Sequence, residues 1–263
     1  MKDCFVSFKT TIAGVELPFQ LNNPFGKEIP EIAQIAVKEL QQYIAANEEC
    51  WSHDFGFGTS VKQAVKGKMF GVLVVENVKG EMGYLATFSG KLMNDLANNH
   101  FVPSVFDATV DDNFISTGMK ALSVMSREIK ALELMENATD ADAVAELKLK
   151  RKNKSYQLQE QLFANYHFTN RQGLTQNLLD IFCDTPNKRP AAGTGECAAP
   201  KLLEYAMQNK LKPIAITEFW WGRSPKVLHR QHKANYPACQ NKCRHLLEYM
   251  LHDFTLFDAT CSR

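Results

Sequence analysis

Cys197, Cys239 and Cys243 are the residues of this chain best suited to holding a metal ion. Soft thiolates suit Zn²⁺, and the CxxxC spacing of Cys239 and Cys243 puts two sulfurs within reach of one ion at a turn or helix start. Tetrahedral zinc needs a fourth ligand, and His229, His232 and His245 lie close by in sequence. The competing reading is three buried, reduced thiols with no metal. Zinc nucleobase deaminases offer a sharper comparison, since they combine a His or Cys ligand, a glutamate two residues later and a PCxxC element. The fit is half complete. Ala199 stands where that glutamate is needed, and PACQNKC separates its cysteines by three residues. Glu196 is the remaining candidate for a general base, although an acid just before a helix also serves the helix dipole. A zinc-dependent deaminase or hydrolase on these cysteines is therefore the alternative, not the preferred, reading.

A second set of residues suits RNA. Phe219, Trp220 and Trp221 end an apolar run, and strand alternation buries one or two of them and exposes the rest for base stacking. Arg223, Lys226, Arg230 and Lys233 follow, with His229 and His232 among them, as a tract fit for phosphates. Lys148, Lys150, Arg151, Lys152 and Lys154 form another positive stretch, whose plainer role is a solvated helix face.

The elements that must position these residues can be read from periodicity. Glu31 to Ala46 carries apolar residues at helical spacing, and the run from Met69 to Val75, a turn over Asn77 to Gly80 and a run from Met82 to Phe88 predict a β-hairpin. Cys4 to Val15 suggests a short strand pair turning at Gly14. Gly118 to about Asn137 and a stretch from Thr139, capped with Asp142, to about Tyr166 predict two helices packed as a hairpin. Leu174 to Phe182 suggests a short helix, TPNKRPAAGTGE a linker or active loop, AAPKLLEYAMQN a helix and PIAITEFWW a strand. The expected class is α+β: a small sheet with helices over 1–116, a long central helical hairpin over 117–170 and a cysteine-bearing α/β region over 171–263 that is half deaminase-like.

Composition narrows the setting. The 263 residues are 45% apolar and 22% charged with a formal charge of +1, so nucleic-acid contact depends on local clusters rather than a global field. The N-terminus lacks a secretory pattern, no apolar run nears the roughly 18 residues of a membrane helix, and seven cysteines without a signal suggest reduced thiols. A cytoplasmic protein without a membrane partner is expected.

Three pieces of the final third are unusual together: GTGECAAPKLLEYA at 193–206, LKPIAITEFWWGRSP at 211–225 and YPACQNKC at 236–243. They resemble the extension that precedes the catalytic domain in one group of bacterial RluA-type RNA pseudouridine synthases, as do GKMFGVLVVEN and GYLATFSGKL. The likeness spans residues 67 to 250. It implies an accessory domain that binds or positions rRNA or tRNA for uridine-to-pseudouridine isomerisation by an RluA-type catalytic domain in cis or in trans. That domain carries an HRLD-type motif whose aspartate is the covalent catalyst. No HRLD occurs in these residues, so the chain alone is not expected to isomerise uridine.

Overall fold

The computed structural model describes residues 3–51, 53–57, 67–90, 92, 100–106, 114–134, 141–225 and 229–252. In chain order the elements are β1 (Val6–Ser7), α1 (Glu31–Ala46), β2 (Lys68–Glu76), β3 (Met82–Phe88), α2 (Phe114–Leu134), α3 (Ala141–Asn165), β4 (His167–Thr169), β5 (Thr175–Asn177), α4 (Leu178–Ile181), α5 (Ala198–Gln208), β6 (Lys212–Trp221), β7 (Asn235–Tyr236) and α6 (Gln240–Met250). The fold is α+β, with a five-stranded antiparallel sheet ordered β1-β3-β2-β6-β7 and a separate pair β4-β5.

Two compact units divide the chain, one of residues 1–105, 168–176 and 193–263, the other of 106–167 and 177–192. This differs from the three consecutive regions expected. The hairpin β2-β3 and the C-terminal strand β6 do not belong to separate sheets: β2 pairs with β6 from Lys68↔Trp221 to Glu76↔Lys212. Strands buried on both faces gain more from joining one sheet than from ending two small ones, each with an exposed edge.

Within the first unit, Phe70, Val72 and Val74 on β2, Tyr84 and Ala86 on β3, and Phe219 and Trp221 on β6 pack with Ile32, Ala36, Leu40 and Ile44 of α1. Alternation turns Gly71 to the opposite face, where a Cβ would stand 2.7 Å from Ala198 Cβ and 3.2 Å from Leu202 Cδ1 of α5. The sheet is therefore covered by α1 on one face and α5 on the other. That double cover explains the unbroken apolar run of β2.

α5 begins where Cys197 takes an extended conformation, tolerates Pro200 in its first turn, and ends with Lys210 at φ 55 and a bond from Leu211 N–H to Ala206 O of 2.9 Å. Two charged residues are buried on it. Lys201 Nζ donates to Phe88 O at 3.0 Å and Gly90 O at 2.9 Å, and Glu204 accepts from Thr169 N–H at 2.6 Å. They tie α5 to the end of β3 and to β4.

The second unit contains the antiparallel helix pair α2 and α3, with Leu122, Ile129 and Phe163 buried. Gly118 allows close contact, since a Cβ there would meet Leu158 Cδ1 at 2.5 Å. Thr139, expected as a cap, lies outside the described residues. The expected strand pair over Cys4–Val15 is only the two-residue β1, and the expected helix at Leu174 starts at Leu178, because Asn177 accepts the N–H groups of Leu179 and Asp180 and so fixes the N-terminus there. No helix among the described residues is long and apolar enough to cross a membrane.

Candidate metal centre

The N-termini of α5 and α6 meet at the three cysteines. Cys197 is the N-cap of α5, Cys239 the N-cap of α6, and Cys243 sits one turn into α6 on the same face. Their sulfurs lie within 4.8 Å of one another. A tetrahedral zinc–thiolate site has sulfurs about 3.8 Å apart, so small side-chain rotations would close the triangle on an ion. Cys243 is buried and the other two are half-buried.

The local electrostatics favour a shared negative charge. Cys239 is held well below the ordinary thiol range because Cys197 first, then Cys243, donate to it, with help from the N–H groups of Lys242 and Cys243 at the start of α6. Cys197 is pushed up in return, mainly by its hydrogen bond to Cys239. At Cys243 the neighbouring Cys197 pulls down, but Cys239 and burial outweigh it and the thiol is raised. The start of α6 thus favours negative charge on Cys239, and a dication would favour the thiolate form of all three. The donor set and its spacing fit a metal.

None of the expected histidines joins this group among the described residues. His232 Nδ1 accepts the Gly222 N–H at 3.0 Å and its ring packs 4.4 Å from Trp221, while His245 Nδ1 lies 3.7 Å from Glu248. His229 is exposed. Glu196 lies 3.7 Å from the Lys201 ammonium, an ion pair just before α5.

A carboxylate that motif reasoning passed over is bonded to the first turn of α5. Glu218, 3% exposed, accepts the Ala199 N–H through Oε1 at 3.0 Å. Ala199 occupies the position where the deaminase pattern has its glutamate, and it is the backbone N–H of that residue that Glu218 accepts. Burial pushes Glu218 up to about 8; the Ala199 N–H and Arg230 oppose the shift and Cys239 adds to it. The available signal was an acid inside the apolar run PIAITEFWW.

The expected RNA-facing aromatics are corrected by the structure. Phe219, Trp220 and Trp221 are all buried, because both faces of β6 are covered, and Trp220 Nε1 donates to Gly222 O at 3.1 Å. Neither indole is open to a base. Gly222 is required there: its φ is +103°, and a Cβ would meet Phe55 O at 2.5 Å.

The basic residues divide by unit. In the first, Arg223 and Lys233 are exposed, Arg230 lies over the Tyr236 ring at 4.0 Å, and Lys233 Nζ is 5.5 Å from the Trp221 ring centre. Lys226 lies outside the described residues. In the second unit, Lys148 pairs with Glu133 and Lys150 with Glu146, both at 2.7 Å, and Arg151 Nε donates to Ser126 at 2.7 Å. Lys152 lies 5.8 Å from the Tyr156 ring centre, and Lys154 is exposed. No family model, curated protein or solved structure matches this chain, so the centre is judged on its own geometry.

Proposed function

We propose that this chain is a zinc-stabilised accessory module of an RluA-type RNA pseudouridine synthase, which positions rRNA or tRNA for a catalytic domain in cis or in trans. One observation carries the reading. The three segments that bear the resemblance meet in the structure: 193–206 brings Cys197 and 236–243 brings Cys239 and Cys243 to one cluster, and Glu218 of 211–225 accepts the Ala199 N–H of the first. A likeness spread over scattered surface loops would not have that property.

Zinc is the metal that three thiolates at this spacing suit best. Its place in the module is to join the starts of α5 and α6, and a reducing, cytoplasmic setting keeps such thiolates available. For RNA, Arg223, Arg230 and Lys233 on the β6–β7 connection are the favoured phosphate contacts. Lys148 and Lys150 already have carboxylate partners, so they add less.

A mobility shift of the zinc-loaded chain with tRNA and rRNA fragments over a salt series tests the reading. Binding that weakens steadily with salt, and by about tenfold on combining Arg223→Ala, Arg230→Ala and Lys233→Ala, supports it. Absence of binding at low salt overturns it.

A further inference from the structure

We propose that a metal held by Cys197, Cys239 and Cys243 keeps an exchangeable fourth position, and that Glu218 is the positioning residue that holds a solvent molecule there. The inference rests on the zinc reading above and deepens it, since an open position takes small ligands and a closed one does not.

Three features of the centre support it. The metal group among the described residues has three protein donors, and the neighbouring histidines are engaged elsewhere or exposed. Cys197 and Cys239 are half-buried while Cys243 is buried, so two of the three residues of the group reach the surface.

The third feature is Glu218 itself. Its Oε1 is fixed by the N–H two residues beyond Cys197, and its backbone pairs with Tyr236, three residues before Cys239. It is thus bracketed by the two segments that bring in the more open cysteines. A glutamine would accept the Ala199 N–H as well, so that bond alone does not call for an acid. An acid there is explained by a second task for its other oxygen, and a hydrogen bond to a solvent molecule on the metal is that task. The position would accept water and, in exchange for it, a small soft donor such as an alkyl thiol.

X-ray absorption of the zinc-loaded full chain reads the coordination directly. Three sulfurs at about 2.3 Å and one light atom at about 2.0 Å, without the outer-shell pattern of imidazole, is the expected result. Four sulfurs, with Cys261 or another thiol as the fourth, or a bound imidazole, overturns the open position and leaves the zinc centre standing. A chain that takes up no stoichiometric zinc removes the zinc reading and this inference together.

The role of Glu218 has its own readout in the Co²⁺-substituted chain titrated with 2-mercaptoethanol. Glu218→Gln keeps an acceptor for Ala199, so its far-UV circular dichroism should match the parent. Loss of the group that holds the solvent molecule should tighten thiol binding about fivefold or more and shift the visible d–d bands. A change within about twofold, with bands unmoved, overturns the role of Glu218.

Discussion

Glu218 Oε1 accepts the Ala199 backbone N–H at 3.0 Å, so a buried acid on the sheet holds the first turn of the helix that carries Cys197. Sheet packing and the metal centre are mechanically joined through that bond. Anything that lifts α5 from β2 and β6 should also move Cys197 away from Cys239 and Cys243.

Gly71→Leu tests that link without changing any cysteine. The new Cβ would stand 2.7 Å from Ala198 Cβ, 3.2 Å from Leu202 Cδ1 and 3.5 Å from Glu218 Cγ, so it presses on the contact between β2, β6 and α5. The expected cost is about 2–3 kcal/mol in chemical denaturation, together with at least tenfold weaker zinc affinity in a chelator competition. Unchanged zinc affinity in a folded variant would show that α5 and the centre are uncoupled.

Trp221 separates packing from RNA stacking. It is 3% exposed, and its indole N–H is buried without a hydrogen-bond partner, so phenylalanine removes area but no hydrogen bond. Trp221→Phe should cost about 1–2 kcal/mol of stability and leave RNA affinity at low salt unchanged. A severalfold loss of RNA affinity with intact stability would restore the stacking role.

His100 should make stability depend on acid. Its ring is stacked 3.6 Å from Tyr43, and burial, with Lys9 adding, lowers it from 6.5 to about 4. The neutral form is the folded form, so its contribution is complete above pH 6.5 and is lost as pH falls towards 4. His100→Phe keeps the stack and removes the titration. The stability of the parent relative to the variant should be constant above pH 6.5 and fall by on the order of 1 kcal/mol at pH 5, solvent contact of the half-buried ring reducing the full linkage value. A flat difference between pH 7 and 5 would contradict the assignment.

Much of this arrangement was legible in the sequence where one physical signal dominated. The apolar spacing of Ile32, Ala36 and Leu40 predicts α1, and the β-rich runs around Asn77 and Gly80 predict the β2-β3 hairpin. The CxxxC spacing singles out Cys239 and Cys243 among the seven cysteines, and the structure places Cys197 beside them. The failures share a cause. Alternation predicts exposure of one face only when a sheet is covered on one side, and β6 is covered on both, so Trp220 and Trp221 are buried together. Glu218 was hidden in the same run. A local motif cannot show that a strand carries an acid to the backbone N–H of Ala199.

Cys197, Cys239 and Cys243 are proposed to hold one zinc ion. Metal analysis of the chain purified without chelator, beside Cys239→Ser and Cys243→Ser, measures it most directly. One zinc per parent chain, with less than about a tenth of that in either variant, is the predicted result. A folded parent chain without stoichiometric zinc, or variants that retain it, would contradict the account.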